Sequence, residues 1–410
     1  MEHEPSIEEQ LAEIRGRTAE IIPEDELARK LERAARERRP LRVKYGIDPT
    51  NPDIHIGHLV PCRVIRAFQD LGHTAVLIVG DYTARIGDPT GRNAERPPLD
   101  EEAIARNMER YAAQLFTVVD ESRAELHYQS SWFAGMHLAD TLRLLASFST
   151  AQMLSHETFR ARLDGGNRLS LHELLYPVLQ AYDSLQIQAD VEIGGTDQRF
   201  NCLCGRDLQR NAGEEPQVVV TVPLLPGADG RKMSKSLGNH IPLAASADEA
   251  VGRVMAVPDE LIETYARLTT GWSIQETDAL LEALRAGTLH PRDAKLRVAR
   301  AVAASLRGTV EADRAVHEFE RVFSRGGRPA QVEQLRLEGA SAPIIELLVD
   351  NGLAASRSEA RRLVAQGAVS LDGVRVTAIE HEIALTSEPQ LLRVGKRRFR
   401  ELTKRTDAAS

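Results

Sequence analysis

The sequence predicts an α/β fold: an open, mostly parallel sheet flanked by helices, followed by an α-helical segment and a small α+β module. Three observations carry this. Residues 41–45 and 75–80 are strand-like runs separated by a helical pattern from Leu59 to Phe68, and strand–helix–strand over that length is a parallel βαβ unit. Residues 218–225 form another apolar strand-like run, so the sheet has a second half. From Ala244 to about Phe323 only helical spacing is left; beyond Pro343 it gives way to helices and an Asp372-Gly373 hairpin.

A chain of 410 residues has room for two or three domains, one with a substantial core. No apolar run reaches the ~20 residues that span a bilayer, and the acidic Met1-Glu2-His3-Glu4 start is unlike a signal peptide. Cys62, Cys202 and Cys204 are too few for a disulfide framework and read as small buried hydrophobes. These features lead us to expect a cytoplasmic protein with no membrane contact. The net charge of −8 is uneven, since residues 341–410 hold 11 Lys+Arg against 9 Asp+Glu. Their charge gathers in residues 393–400, which suit an RNA backbone, although a solvated charge run has the same composition.

Residues 1–40 read as a charged helical extension (Ile7 to Ile14, Glu24 to Glu37) without chemistry of its own. After the first strand, Asp48-Pro49-Thr50-Asn51-Pro52-Asp53 reads as a loop because its prolines fix φ and disfavour helix in their predecessors. His55-Ile56-Gly57-His58 then opens a helix. Strand, loop and helix aim backbone N–H groups at an anion, and Gly57 leaves space for a ligand to approach. The bland alternative is an ordinary helix start with two surface histidines; a zinc pair lacks a third ligand. Asp88, in the turn Ile86-Gly87-Asp88-Pro89-Thr90-Gly91, falls at the strand ends where open α/β sheets bind ligands.

Residues 101–170 read as helices with amphipathic spacing (Leu138, Leu142, Leu144, Leu145), an insertion joining the two halves of the sheet. Tyr176, Gln180 and Asp183 stand at i, i+4 and i+7, on one helical stripe. The stripe is either a solvent face or a reader of a small polar ligand. Residues 190–198 read as a strand entering a Gly194-Gly195 turn, with Asp197 and Gln198 at the next helix start. Gly230-Arg231-Lys232-Met233-Ser234-Lys235-Ser236 is a small, polar, lysine-rich loop whose ammonium groups suit polyphosphate. Residues 324–329 form a linker by composition, and Ser356 with Glu359 reads as a capping box ahead of Arg357, Arg361 and Arg362.

Together, His-Ile-Gly-His and Lys-Met-Ser-Lys-Ser resemble the paired signatures of the class I aminoacyl-tRNA synthetases. With Tyr-Gly-Ile-Asp-Pro-Thr, Ile-Gly-Asp-Pro-Thr-Gly, Tyr-Pro-x-x-Gln-x-Tyr-Asp and Gly-Gly-Thr-Asp-Gln in order, residues 41–402 resemble the bacterial tyrosyl-tRNA synthetases with a complete lysine loop. The resemblance implies a Rossmann-like catalytic domain over 41–243, with its insertion at 101–170. It further implies an α-helical anticodon-binding domain at 244–325, a linker at 326–340 and a ribosomal-protein-like RNA-binding module at 341–410.

Function follows by the same resemblance: activation of L-tyrosine with ATP, then transfer to tRNA(Tyr). Asp183 would accept the phenolic hydroxyl, Tyr176, Gln180 and Asp88 would hold the α-ammonium, and Gln198 would lie near the carboxylate. Gly46, Asp48, His55, Gly57, His58, Gly195, Asp197, Lys232, Ser234 and Lys235 would meet ATP. Of these, His55, His58, Lys232 and Lys235 would be catalytic. Arg357, Arg361, Arg362, Lys396 and Arg397 would face tRNA. Mg²⁺ is expected on the ATP phosphates with no protein metal site, and the family is homodimeric, with 101–170 the expected interface. One position departs: many members carry a tyrosine two residues before the first-strand glycine, where this chain has Lys44.

Overall fold

The computed structural model describes residues 5–49, 54–90, 101–234, 237–323, 332–386, 388–395 and 398–404. The chain divides into two compact units, Met1–Val316 and His317–Ser410.

The first unit is built on a six-stranded sheet: β1 (Glu20–Ile22), β2 (Arg42–Ile47), β3 (Thr74–Val79), β4 (Ala124–Tyr128), β5 (Val191–Gly195) and β6 (Val218–Val222). Their order is β1-β6-β5-β2-β3-β4. All neighbours run parallel except β1, which is antiparallel to β6. The strand order reverses between β2 and β5, the switch point at which such sheets leave a crevice. Both faces of the central strands are covered, so Ala75, Val76, Leu77, Ile78 and Val218, Val219, Val220 are buried without alternation.

Two expectations need correction. Residues 1–40 are not purely helical: between helices Ile7–Arg15 and Glu24–Glu37, the short β1 covers the edge of β6. Residues 101–170 are not purely helical either, since they contribute β4, the opposite edge. Ala124-Glu125-Leu126-His127-Tyr128 alternates with period two, but its flanking helices obscured that short signal. On the helix Leu138–Leu145, Leu144 is buried, whereas Leu138 and Leu142 face solvent.

Helices Ala247–Met255, Ile262–Thr269, Ile274–Arg285 and Pro291–Arg307 follow the sheet. Of the residues that helical spacing predicts to be buried there, Tyr265, Leu268, Leu280 and Leu281 are, whereas Leu261 and Leu284 are half-buried; the Tyr265 hydroxyl donates to Pro226 O (2.8 Å).

The second unit has a five-stranded sheet in the order Val374–Val376, Val369–Leu371, Gln390–Val394, Arg398–Lys404, Glu333–Leu337. Helices Ile344–Asp350 and Arg357–Ala365 pack on it through Leu348, Ala360, Val364 and Leu392. Glu333–Leu337 lies within the stretch expected as linker; Leu335 and Leu337 pack on the core, and the strand pairs in parallel with Arg398–Lys404. Residues 324–329 of that linker lie outside the described residues. The Asp372-Gly373 hairpin forms as predicted, with φ of 45° and 84°. Ser356 caps its helix by accepting from Glu359 N (3.2 Å), but the expected reciprocal bond goes elsewhere: the Glu359 carboxylate accepts from Ala355 N (2.8 Å).

Candidate active site

The C-terminal ends of β2, β3, β5 and β6 open into a cavity of about 330 Å³. Every predicted ligand residue of the first unit lines it except Ser234 and Lys235. Ser234 N donates to Asn239 Oδ1 (2.8 Å), and Lys235 lies outside the described residues.

At one end lies a fully buried carboxylate. Asp183 Oδ2 accepts from Gln129 Nε2 (2.7 Å) and Oδ1 from Trp132 Nε1 (3.1 Å). Burial pushes its pKa up to about 7, against the lowering effects of the Lys44 charge and the two donors. Gln129 is held in one orientation, because its oxygen accepts from Thr83 N (2.9 Å) and Tyr82 N (3.2 Å) while its amide nitrogen serves Asp183.

Tyr176, about two helical turns before Asp183, donates to Asp48 Oδ2 (2.9 Å), whose Oδ1 lies 2.6 Å from Thr83 Oγ1. Burial, then the Asp48 charge, hold the Tyr176 phenol well above its ordinary pKa, so it stays a neutral donor. Asp48 therefore joins the Tyr176 stripe as well as the first-strand loop. Gly80 makes this approach possible: a Cβ there would overlap Asp48 Oδ1 and Thr83 Oγ1. Asp88 accepts from Gln198 Nε2 (2.8 Å) and Thr90 N (2.9 Å); burial raises its pKa, partly offset by these bonds.

At the other end stand the histidines. His55 is extended, ahead of the short turn Ile56–His58 and the helix Leu59–Asp70, and its ring lies 4.1 Å from that of His58, centroid to centroid. The segment is tied to the chain leaving the lysine loop: Ile56 N donates to Ile241 O and Leu243 N to Ile54 O, both at 3.0 Å. The His240 ring sits 6.2 Å from that of His55. Lys232 Nζ lies 3.5 Å from Asp197 Oδ2 across the opening. Asn239 holds the loop from inside, donating to Asp229 Oδ1 (2.7 Å) and Lys232 O (3.2 Å). That donation, ahead of Arg231, holds the Asp229 carboxyl down at about 2.

Sequence reasoning missed Thr83, Gln129, Trp132, His240 and Asn239. Asn239 follows the lysine signature directly and was within reach. Gln129 and Trp132 were absorbed into a stretch read as helical, and only the placement of β4 beside β3 brings them to Asp183. In the second unit, Arg357, Arg361 and Arg362 are exposed on one helix, with Arg357 3.4 Å from Glu346. Lys396 and Arg397 lie outside the described residues. Among the described residues, no group of three or more His, Cys, Asp or Glu side chains is arranged to hold a metal ion.

A parallel sheet with a histidine-bearing helix start and a lysine loop at one crevice defines a nucleotide-binding enzyme of the class I synthetase type. Comparison with known proteins agrees. Residues 36–324 match the family described as tRNA synthetases class I (W and Y), and residues 326–401 match the tyrosine–tRNA ligase SYY-like C-terminal domain. Tyrosine–tRNA ligase of Moorella thermoacetica is 44% identical over 400 residues, covering 97% of each chain. That of Thermotoga maritima is 42% identical over 393 residues, covering 96% of each. A solved structure, the C-terminally truncated mitochondrial tyrosyl-tRNA synthetase of Aspergillus nidulans, shares the fold with a TM-score of 0.64 at 24% identity, covering 78% of this chain and 94% of that one. The chain belongs to the class I tRNA synthetases of the W and Y group and, within it, to the tyrosine–tRNA ligase family.

Proposed function

We propose that this chain activates L-tyrosine with ATP and transfers it to tRNA(Tyr). The observation that carries the reading is one cavity with a buried carboxylate, Asp183, at its closed end and the histidine pair and Lys232 at its mouth. An aromatic amino acid bearing a hydroxyl gives Asp183 a donor; a phenyl ring leaves it facing an apolar edge. Tyr176, Gln180 and Asp88 receive the α-ammonium, with Gln198 beside the carboxylate. Gly46, Asp48, Gly57, Gly195 and Asp197 border ATP, and Asp197 exchanges Lys232 for ribose hydroxyls when the nucleotide arrives.

In the first step a carboxylate oxygen of tyrosine attacks the α-phosphorus. The bond from that phosphorus to the bridging oxygen breaks, and pyrophosphate leaves with the electron pair. His55, His58, Lys232 and Lys235 stabilise the charge that accumulates on the phosphoryl oxygens, and no side-chain nucleophile is needed. Mg²⁺ enters on the ATP phosphates as part of the substrate. In the second step a terminal ribose hydroxyl of tRNA attacks the mixed anhydride and AMP leaves. The helical segment 244–325 and the module at 341–410, through Arg357, Arg361, Arg362, Lys396 and Arg397, suit the tRNA. A homodimer joined through 101–170 is consistent with the exposed Leu138 and Leu142, one turn apart. Cytoplasmic residence fits the reduced cysteines.

Amino-acid-dependent ATP–pyrophosphate exchange tests the reading, with tyrosine, phenylalanine and tryptophan in parallel. Exchange with tyrosine alone is expected. Exchange with tryptophan alone, or none in a folded sample that binds tRNA, overturns it.

A further inference from the structure

Lys44 is fully buried on β2, directly opposite Glu192 on β5 in the parallel register. An ammonium has three N–H groups, and three acceptors surround this one: Glu192 Oε1 (2.8 Å), Ser184 Oγ (2.7 Å) and Gln180 O (2.8 Å). Its donors are therefore all committed to protein, and Lys44 cannot itself be a substrate ligand. Glu192 is equally saturated. Its Oε1 also accepts from Gln180 Nε2 (3.0 Å), and its Oε2 accepts from Ser184 Oγ (3.3 Å) and the Gln217 amide.

This closed network has one outlet. The Gln180 amide nitrogen faces Glu192 Oε1 and, at 3.8 Å, Cys202 Sγ, so the carboxamide presents its oxygen to the cavity it lines. A carboxylate accepts only, so a flipped amide would set oxygen against oxygen inside a buried, low-dielectric site. Lys44 also ties two successive turns of the helix Tyr176–Gln186, at Gln180 and Ser184, to the sheet.

We propose that the buried Lys44–Glu192 pair is a positioning device that locks Gln180 as a hydrogen-bond acceptor and so selects ligands with a protonated α-amine. The proposal rests on the amino-acid-activation reading above. It assigns to Lys44 amine selection through Gln180, beside the effect of its charge on Asp183, which the Glu192 charge opposes.

The test is calorimetric titration of L-tyrosine and of its des-amino analogue 3-(4-hydroxyphenyl)propionate into the full-length chain and into Lys44→Met/Glu192→Met. Removing both charges avoids a lone buried ion, a replacement that folded proteins generally tolerate. Expected is a tenfold or greater loss of tyrosine affinity, with the analogue's affinity and the KM for ATP within twofold of the parent. Unchanged tyrosine affinity overturns the proposal, and so does an equal loss for both ligands, which signifies general collapse of the pocket. If the double variant does not fold, Ser184→Ala, which removes one acceptor of the ammonium, is expected to cost tyrosine two- to fivefold while sparing the analogue. No loss there overturns the proposal as well. A parent protein that binds neither ligand overturns the tyrosine reading instead.

Discussion

Lowering the pH through neutrality is the most direct perturbation of the closed end of the cavity. Asp183 titrates at about 7, raised from 3.8 chiefly by burial. Both its oxygens already accept protein N–H groups, so the ionised form is the one suited to receive a phenol hydroxyl as well. A protonated Asp183 would set its own O–H against the Gln129 or Trp132 N–H, or donate it to the substrate phenol and give up the stronger bond that the phenol makes to a carboxylate. Tyrosine binding and protonation of Asp183 are therefore antagonistic. Linkage then requires the Kd for tyrosine to level off by pH 8, to be about twofold higher at pH 7, and to rise about tenfold per pH unit further down, roughly 100-fold at pH 5. Calorimetry in two buffers of different ionisation enthalpy measures both the slope and the proton released on binding, close to one at pH 6. Asp183→Asn should bind tyrosine weakly and without the slope. A Kd that is level from pH 5 to 8 would refute the reasoning, as would the same slope for phenylalanine, which offers no hydroxyl.

The same group sets a stability signature. Because its folded pKa lies above the unfolded value, the native state binds more protons between about pH 4 and 7. Stability is full below the lower value and falls as pH rises through 7, by on the order of 4 kcal/mol in total. Urea unfolding should show that decline in the parent, and Asp183→Asn should flatten it.

Three further outcomes are expected. Arg162→Met leaves Glu173, its buried ion-pair partner, without a counter-charge; the loss should be roughly 3–5 kcal/mol by urea unfolding, with little left to lose in the double variant Arg162→Met/Glu173→Leu. Gly80→Ala drives Asp48 off Thr83 and so disturbs Tyr176; tyrosine KM should rise several-fold more than ATP KM in pyrophosphate exchange. Lys232→Ala should lower the rate of adenylate formation about 10²–10³-fold in single-turnover kinetics while leaving the tyrosine Kd unchanged, since the ammonium stands at the mouth beside Asp197.

The parts of this molecule legible in its sequence are those whose physics is local. Buried parallel strands announce themselves as continuous apolar runs, and the helix Tyr176–Gln186 aligns its three polar residues by period alone. The Asp-Gly hairpin follows from two positive φ angles. Short edge strands were not legible. β1, with three residues, is too short for a pattern, and the five alternating residues of β4 are lost between helical stretches; each strand is stabilised by a neighbour far along the chain.

Lys44 marks the boundary between these two kinds of information. As a residue it looks anomalous, a lysine inside a strand whose neighbour Val43 is buried. The anomaly is visible in the sequence; its resolution is not, because the three acceptors come from positions 180, 184 and 192. An unpaired ammonium at that depth would titrate to neutrality or unfold the strand, so a partner could be demanded from the sequence though not named. Of the acidic residues near Lys44 in the fold, Glu192 supplies the counter-charge, and Asp183 is the one that the proposed function gives to the ligand. That division follows from register: β2 and β5 pair so that Lys44 falls opposite Glu192, while Asp183, on the helix above, is reached instead by Gln129 and Trp132 from beyond β4. The sheet order thus decides which carboxylate is neutralised inside the protein and which one stays available to recognise a hydroxyl.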